Sequence, residues 1–167
     1  MFVIATPQMP LHHPAMLIST WFGVGLSPLA PGTCASLVAL TIGWAIRAVT
    51  GIAGLAVAVA LVFAIGCWAA AVVATAGRVQ DPDMVVVDEV AGQWVAVLAA
   101  PFDPLDWGLA FLLFRLFDIA KPWPVRWVDR RVKGGLGIML DDILAAGYAV
   151  LVLVAIPVIK GMLHVHV

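Results

Sequence analysis

The chain has 167 residues, 63% of them hydrophobic and 11% charged, and a net charge of −1; its mean hydropathy is +1.08. A soluble domain carries about 25% charged residues, so this chain lacks the polar groups to cover a water-facing surface, and its near-neutral balance excludes capture of nucleic acid by a net field. Cys34 and Cys67 stand in unrelated apolar contexts without metal-site spacing and read as small buried hydrophobes.

Residues 1–24 read as an N-terminal tail. Within it, 14–22 forms either a short interfacial helix, with Trp21 at headgroup depth, or a partly ordered segment. No basic residue precedes its apolar part, which argues against a cleaved signal peptide. His12, His13, His164 and His166, near the two ends, read as solvated. Residues 25–167 read as a single membrane domain.

That domain opens on GLSPLAPGTCAS (25–36), a turn-rich loop. From Ala35 to Ala76 the only charge is Arg47, and the run is long enough for two crossings at about 20 residues each. It predicts helices over 35–49 and 52–76, with the turn at Thr50, Gly51 and Gly54 and the first helix starting at Thr33 or just after. Asp81-Pro82 matches an N-cap and first helical position. Two shorter helices follow, 84–100 and 105–121, broken apart at Pro101, Asp103 and Pro104 and ended by Pro122 and Pro124. After a loop rich in Arg and Gly, Asp141 and Asp142 open a last helix to Ile159. The fold class expected is all-α, a multi-pass membrane helical bundle of about five hydrophobic helices, some short.

Five helices impose a sidedness. The N-terminal loop, 78–89 and 121–142 share one face, and the turns near Gly51 and Pro101 share the other with the C-terminus. The first face then carries Arg78, Arg115, Lys121, Arg126, Arg130, Arg131 and Lys133, against Arg47 and Lys160 on the second. By the positive-inside rule the first face is cytoplasmic.

The residues able to do chemistry fall on that face. Arg115, Asp118 and Lys121, spaced i, i+3, i+6, lie along one side of a helix end. Charges in an apolar helix are costly, and they are retained where they serve a function. Asp88-Glu89 and Asp141-Asp142 each begin an apolar run. One acid per helix start would satisfy the macrodipole; two adjacent acids at two starts exceed it and repel one another unless a cation intervenes. With Asp118 these are five carboxylates able to converge, and oxygen-only ligands suit Mg²⁺ better than Zn²⁺. Gly32, Thr33 and Ser36 open a helix whose free N–H groups could take a phosphate, although Thr33 and Ser36 would also make an ordinary N-cap. Arg126 is expected to pair with Asp129. Gly134-Gly135-Leu136-Gly137 reads as a flexible clamp or a connecting turn. Arg126, Arg130, Arg131 and Lys133, with Trp123 and Trp127, suit anionic headgroups.

A divalent metal, phosphate donors and an apolar scaffold together suit hydrolysis of a phosphomonoester carried on a lipid. Arg115 and Lys121 would neutralise phosphoryl oxygens, and a carboxylate would orient the attacking water. Two other classes fit the composition less well. An ion-coupled transporter would need acids on both faces, and the second offers only Asp103 and Asp106. A CDP-lipid phosphatidyltransferase would need a spaced glycine–aspartate signature that is missing.

Four stretches, LSPLAPGTCAS (26–36), VVVDEVAGQW (85–94), FRLFDIAKPWPVRWVDR (114–130) and GGLGIMLDDILAAG (134–147), resemble the phosphatidylglycerophosphatase A family in content and order over about 120 residues. The resemblance implies an all-α, Mg²⁺-dependent enzyme of the bacterial inner membrane, acting on an anionic phospholipid, phosphatidylglycerophosphate. It also carries the family's motif positions onto Asp88, Glu89, Asp118, Lys121, Asp129, Asp141 and Asp142, and its phosphate-loop pattern onto Gly32, Thr33 and Ser36. Ala35 stands where a glycine is expected.

Overall fold

The computed structural model of the chain describes residues 9–164, with side chains to Ile159. The expectations for the tail before residue 9, and for the side chains of Lys160, His164 and His166, lie outside the described residues. Among the described residues the chain is all-helical. Its elements are α1 (Pro14–Ser19), a 3-10 turn (Val24–Leu26), α2 (Pro31–Gly77), α3 (Val87–Leu98), α4 (Pro104–Ala120), α5 (Val125–Arg131) and α6 (Gly134–His164).

Helix α1 is shorter than expected and is packed into the bundle, with Ala15, Met16 and Ser19 buried. His13 caps it, Nδ1 accepting from the Ala15 N–H at 3.2 Å. Trp21 packs edge-on against Trp94 with ring centroids 5.8 Å apart. The Ser19 carbonyl accepts from the Val86 N–H at 2.8 Å, which ties α1 to the segment that enters α3.

Helix α2 begins at Pro31, earlier than expected, because proline at the first helical position lacks only an N–H that would have had no partner. Its 47 residues are interrupted at Gly51, where φ is 71° and ψ is −172°. Such a positive φ costs glycine little, and the chain reverses there. Before the turn, Gly32 lies against Glu89 and Gly43 against Trp94, and Arg47 reaches Ala100, so this half runs alongside α3 in the same sense. After it, Gly66 lies against Val87 and Met139, so the second half returns. The two helices expected over 35–49 and 52–76 are these halves.

Asp81-Pro82 does not start a helix. Residues 79–86 form turns, and α3 begins at Val87 with Val86 at the N-cap. The largest departures surround α5 and α6. The stretch expected as a loop contains α5, and α6 begins at Gly134, so Asp141 and Asp142 lie inside a helix instead of opening one. Three glycines in four residues argue against a helix locally, yet close packing favours it. A Cβ at Gly135 would come within 2.7 Å of the Ala71 nitrogen, and only a glycine lets α6 lie this close to α2.

The ends of these helices sort as the hydropathy pattern predicts. Gly32, the start of α3, the end of α4 and the start of α6 gather at one end of the bundle, and Arg47, the Gly51 turn and 98–106 at the other. Arg47 has a structural task there. Its Nη1 donates to the carbonyls of Val97 (3.0 Å) and Ala100 (2.9 Å), closing the C-terminus of α3, beneath the rings of Phe102 and Trp107. Arg47→Gln is expected to lower the unfolding free energy by about 1–3 kcal/mol, read by denaturant titration in detergent micelles.

Two helices, α2 and the Gly134–Ile159 part of α6, are long and apolar enough to cross a membrane. The 12 residues of α3 extend only about 18 Å, short of a hydrocarbon core of about 30 Å. Bulky apolar side chains nonetheless face outward on several helices, among them Val49, Leu61, Leu112, Ile119 and Leu151, a surface suited to lipid.

Candidate active site

Asp88 and Glu89 occupy the first turn of α3, where the helix dipole favours negative charge. Asp142 reaches them from α6. The approach depends on Gly92: a Cβ there would stand 2.6 Å from Phe114 Cε2 and 3.0 Å from the Asp142 carbonyl oxygen, so its absence lets α3, α4 and α6 converge. Asp88, Glu89 and Asp142 each present an oxygen, all within 4.8 Å of one another. Asp118 lies beside Asp142 and within electrostatic range of Glu89.

Cations are scarce around this cluster. Arg115 Nη1 is 2.6 Å from Asp118 Oδ2 and 3.8 Å from Glu89 Oε1. The approach is an ion pair off the N–H direction, and Nη1 and Nε are buried without a hydrogen-bond acceptor. Asp88 Oδ1, Glu89 Oε2 and Asp142 Oδ2 are likewise buried and unpartnered. Buried carboxylates this close repel one another strongly unless a cation or protons intervene. Orphaned oxygen donors without His or Cys fit a hard divalent ion such as Mg²⁺, and the free Arg115 N–H groups beside them fit an anion.

Gly32, in the first turn of α2, abuts this cluster. A Cβ on it would lie 2.9 Å from Glu89 Cδ and 3.2 Å from Arg115 Nη1. Thr33 is half-buried next to it. Ser36 is fully buried, and its Oγ donates to the Gly32 carbonyl at 2.9 Å, so the hydroxyl is engaged within its own helix. Ala35, in place of the expected glycine, is a core residue of the bundle.

Lys121 does not continue the line of Arg115 and Asp118. It is the C-cap of α4 with φ 43°, which turns the chain out of the helix. Its Nζ donates to Asp129 Oδ1 (2.8 Å) and Asp141 Oδ2 (2.6 Å). Burial works against the lysine charge, but the bonds and charges of Asp129 and Asp141 outweigh it and raise its pKa above the usual lysine value. Asp129 is thus paired with Lys121 and not with Arg126, which is exposed on α5. Both Asp141 oxygens are engaged, Oδ1 accepting from the Asp142 N–H at 3.1 Å. Of the five carboxylates, three converge closely, Asp118 adjoins them, and Asp141 turns to the lysine.

Gln93 was not singled out by the sequence reading. It follows Glu89 by one helical turn, is fully buried, and neither its nitrogen nor its oxygen has a partner. The spacing of Glu89 and Gln93 on one helix face was the available signal.

The fold and site together define an apolar-surfaced helical protein with a buried oxygen-donor centre beside an arginine with free donors, an arrangement suited to phosphate chemistry. The family model for Phosphatidylglycerophosphatase A matches residues 17–157. The chain is 38% identical over 143 residues to a Phosphatidylglycerophosphatase A of Escherichia coli (strain K12), covering 85% of this chain and 83% of the relative. It is 39% identical over 150 residues to the protein of that name from Haemophilus influenzae, covering 89% and 92%. A Bacteroides thetaiotaomicron protein called a putative phosphatidylinositol-3-phosphatase is 43% identical over 142 residues, covering 80% and 87%. No solved structure matches. The chain belongs to the phosphatidylglycerophosphatase A family.

Proposed function

We propose that the protein hydrolyses the terminal phosphomonoester of phosphatidylglycerophosphate, releasing phosphatidylglycerol and inorganic phosphate. It does so as a multi-pass protein of a bacterial inner membrane, with the carboxylate end of the bundle toward the cytoplasm. The observation that carries this reading is the convergence of Asp88, Glu89 and Asp142, with unpartnered buried oxygens, beside Arg115, whose Nε and Nη1 lack a hydrogen-bond acceptor. Family membership supports the same chemistry, and the outward apolar side chains support the membrane setting.

Asp88, Glu89 and Asp142, with Asp118 adjoining, would hold Mg²⁺. When bound there, the ion supplies charge to a phosphoryl oxygen and acidifies a water. Arg115 donates to the remaining phosphoryl oxygens, and the Asp118 charge keeps its guanidinium oriented. A carboxylate of the cluster accepts a proton from the attacking water. The water oxygen bonds to phosphorus as the ester P–O bond breaks, and the glycerol oxygen leaves as a hydroxyl by taking a proton from solvent, to which the carboxylate returns the one it accepted. Lys121, fixed by Asp129 and Asp141, maintains positive charge at the margin of the site. Gly32 allows the phosphate group close access to the start of α2.

The test is release of inorganic phosphate from phosphatidylglycerophosphate by the detergent-solubilised protein. Activity is expected to fall to background on metal chelation and to return with Mg²⁺. Release that is indifferent to chelation would remove the metal from the mechanism. Name and identity of the Bacteroides relative favour a second reading, in which the monoester sits on inositol. Parallel assays with phosphatidylinositol 3-phosphate decide between the headgroups, and faster turnover of the inositol lipid would favour that reading.

A further inference from the structure

A second feature at the same end of the bundle meets that site only at Lys121. An open cavity of about 560 Å³ is lined by Lys121, Trp123, Arg126, Trp127, Arg130 and Arg131, among others. None of these residues belongs to the Asp88–Glu89–Asp142 cluster. The volume lies within the range of sites for small ligands, about 300–1,000 Å³. Lys121 has its charge matched by Asp129 and Asp141, whereas among the described residues Arg126, Arg130 and Arg131 make no ion pair. Three arginines with uncommitted guanidinium groups on one wall suit a phosphate oxygen pair.

The cavity is built on fixed supports. Asp129 ties α5 to the end of α4 through Lys121, Val125 and Val128 bury the inner side of α5, and the Tyr148 hydroxyl donates to the Trp123 carbonyl at 2.6 Å, holding the rim to α6. Trp123 and Trp127 are left 78% and 53% exposed, which is costly for indoles in water and favourable at the headgroup level of a bilayer.

We infer that this cavity is a second anion site, which takes the phosphodiester of an anionic phospholipid headgroup while the tryptophans rest among the neighbouring acyl and glycerol groups. That the lipid held here is also the substrate rests on the function proposed above; binding of the diester itself does not. Lys121 places the two sites side by side, lining the cavity while its Nζ contacts Asp141, the neighbour of Asp142. A lipid bearing both a diester and a terminal monoester would span them.

The experiment uses the full chain in detergent micelles without added metal. Short-chain phosphatidylglycerol, which has the diester and no monoester, is titrated against tryptophan fluorescence, with phosphatidylcholine and inorganic phosphate as separate arms. Saturable binding of phosphatidylglycerol is expected, with phosphatidylcholine much weaker and free phosphate unable to compete at equal concentration. Arg130→Gln/Arg131→Gln is expected to weaken phosphatidylglycerol binding about tenfold. Trp123→Phe, an exposed and conservative change, should reduce the fluorescence response while leaving the protein folded. Equal binding of the two lipids, phosphate competing as well as lipid, or an unchanged affinity in the double variant would each overturn the inference. Binding without phosphatase activity would leave it standing while the proposed function failed.

Discussion

Asp142→Asn is expected to lower kcat by about 10³-fold or more while the protein stays folded. Asparagine keeps the shape of the side chain but removes a charge from the three carboxylates that converge within 4.8 Å. In the metal-free protein a charge at this position is disfavoured by burial and by the neighbouring carboxylates, and Oδ2 has no partner, so the variant should unfold no more easily than wild type. The loss is therefore one of ion and phosphate handling. Steady-state phosphate release, with thermal unfolding of both proteins in the same detergent, checks it. Asp118→Asn is expected to behave similarly, because it releases Arg115 from its 2.6 Å ion pair. Wild-type turnover in either variant would remove that residue from the mechanism.

Gly32→Ala should reduce kcat/KM by about 10²-fold, although it adds a single methyl group to a helix. The added Cβ would stand 2.9 Å from Glu89 Cδ and 3.2 Å from Arg115 Nη1. Glu89 or Arg115 must shift to make room, and either shift disturbs the contact between the carboxylates and the guanidinium. A displacement near 1 Å at a reacting centre is enough for a loss of that size. Helix propensity works in the opposite direction, since alanine favours a helix over glycine by about 1 kcal/mol. A variant as stable as wild type but much less active is thus expected. Unchanged kcat/KM would mean that the positions of the Glu89 and Arg115 side chains do not limit turnover.

These expectations arise where sequence and tertiary structure contribute differently. Hydropathy placed the apolar runs, and the glycine at the turn after Thr50 marked the reversal at Gly51. The same pattern brought the acidic pairs to one end of the bundle, because every helix that carries a motif starts or ends there. The side chains that gather at the candidate site were legible as well, since charge in so apolar a chain is conspicuous at Asp88, Glu89, Arg115, Asp118 and Asp142.

Local pattern was insufficient where neighbours decided the outcome. The glycines at 134–137 read as a flexible clamp or a connecting turn, yet packing against α2 makes them the first turn of α6, and this moved Asp141 and Asp142 into a helix interior. Lys121 was read as one side of a helix with Arg115, but its left-handed cap conformation turns it toward Asp129 and Asp141. Arg47, the single charge in its apolar run, is a cap for α3. By itself the sequence determined which residues could not remain in hydrocarbon unpartnered, because that depends on their own solvation. Which partner each one took was decided by tertiary structure, because pairing depends on distances between helices that no local spacing encodes.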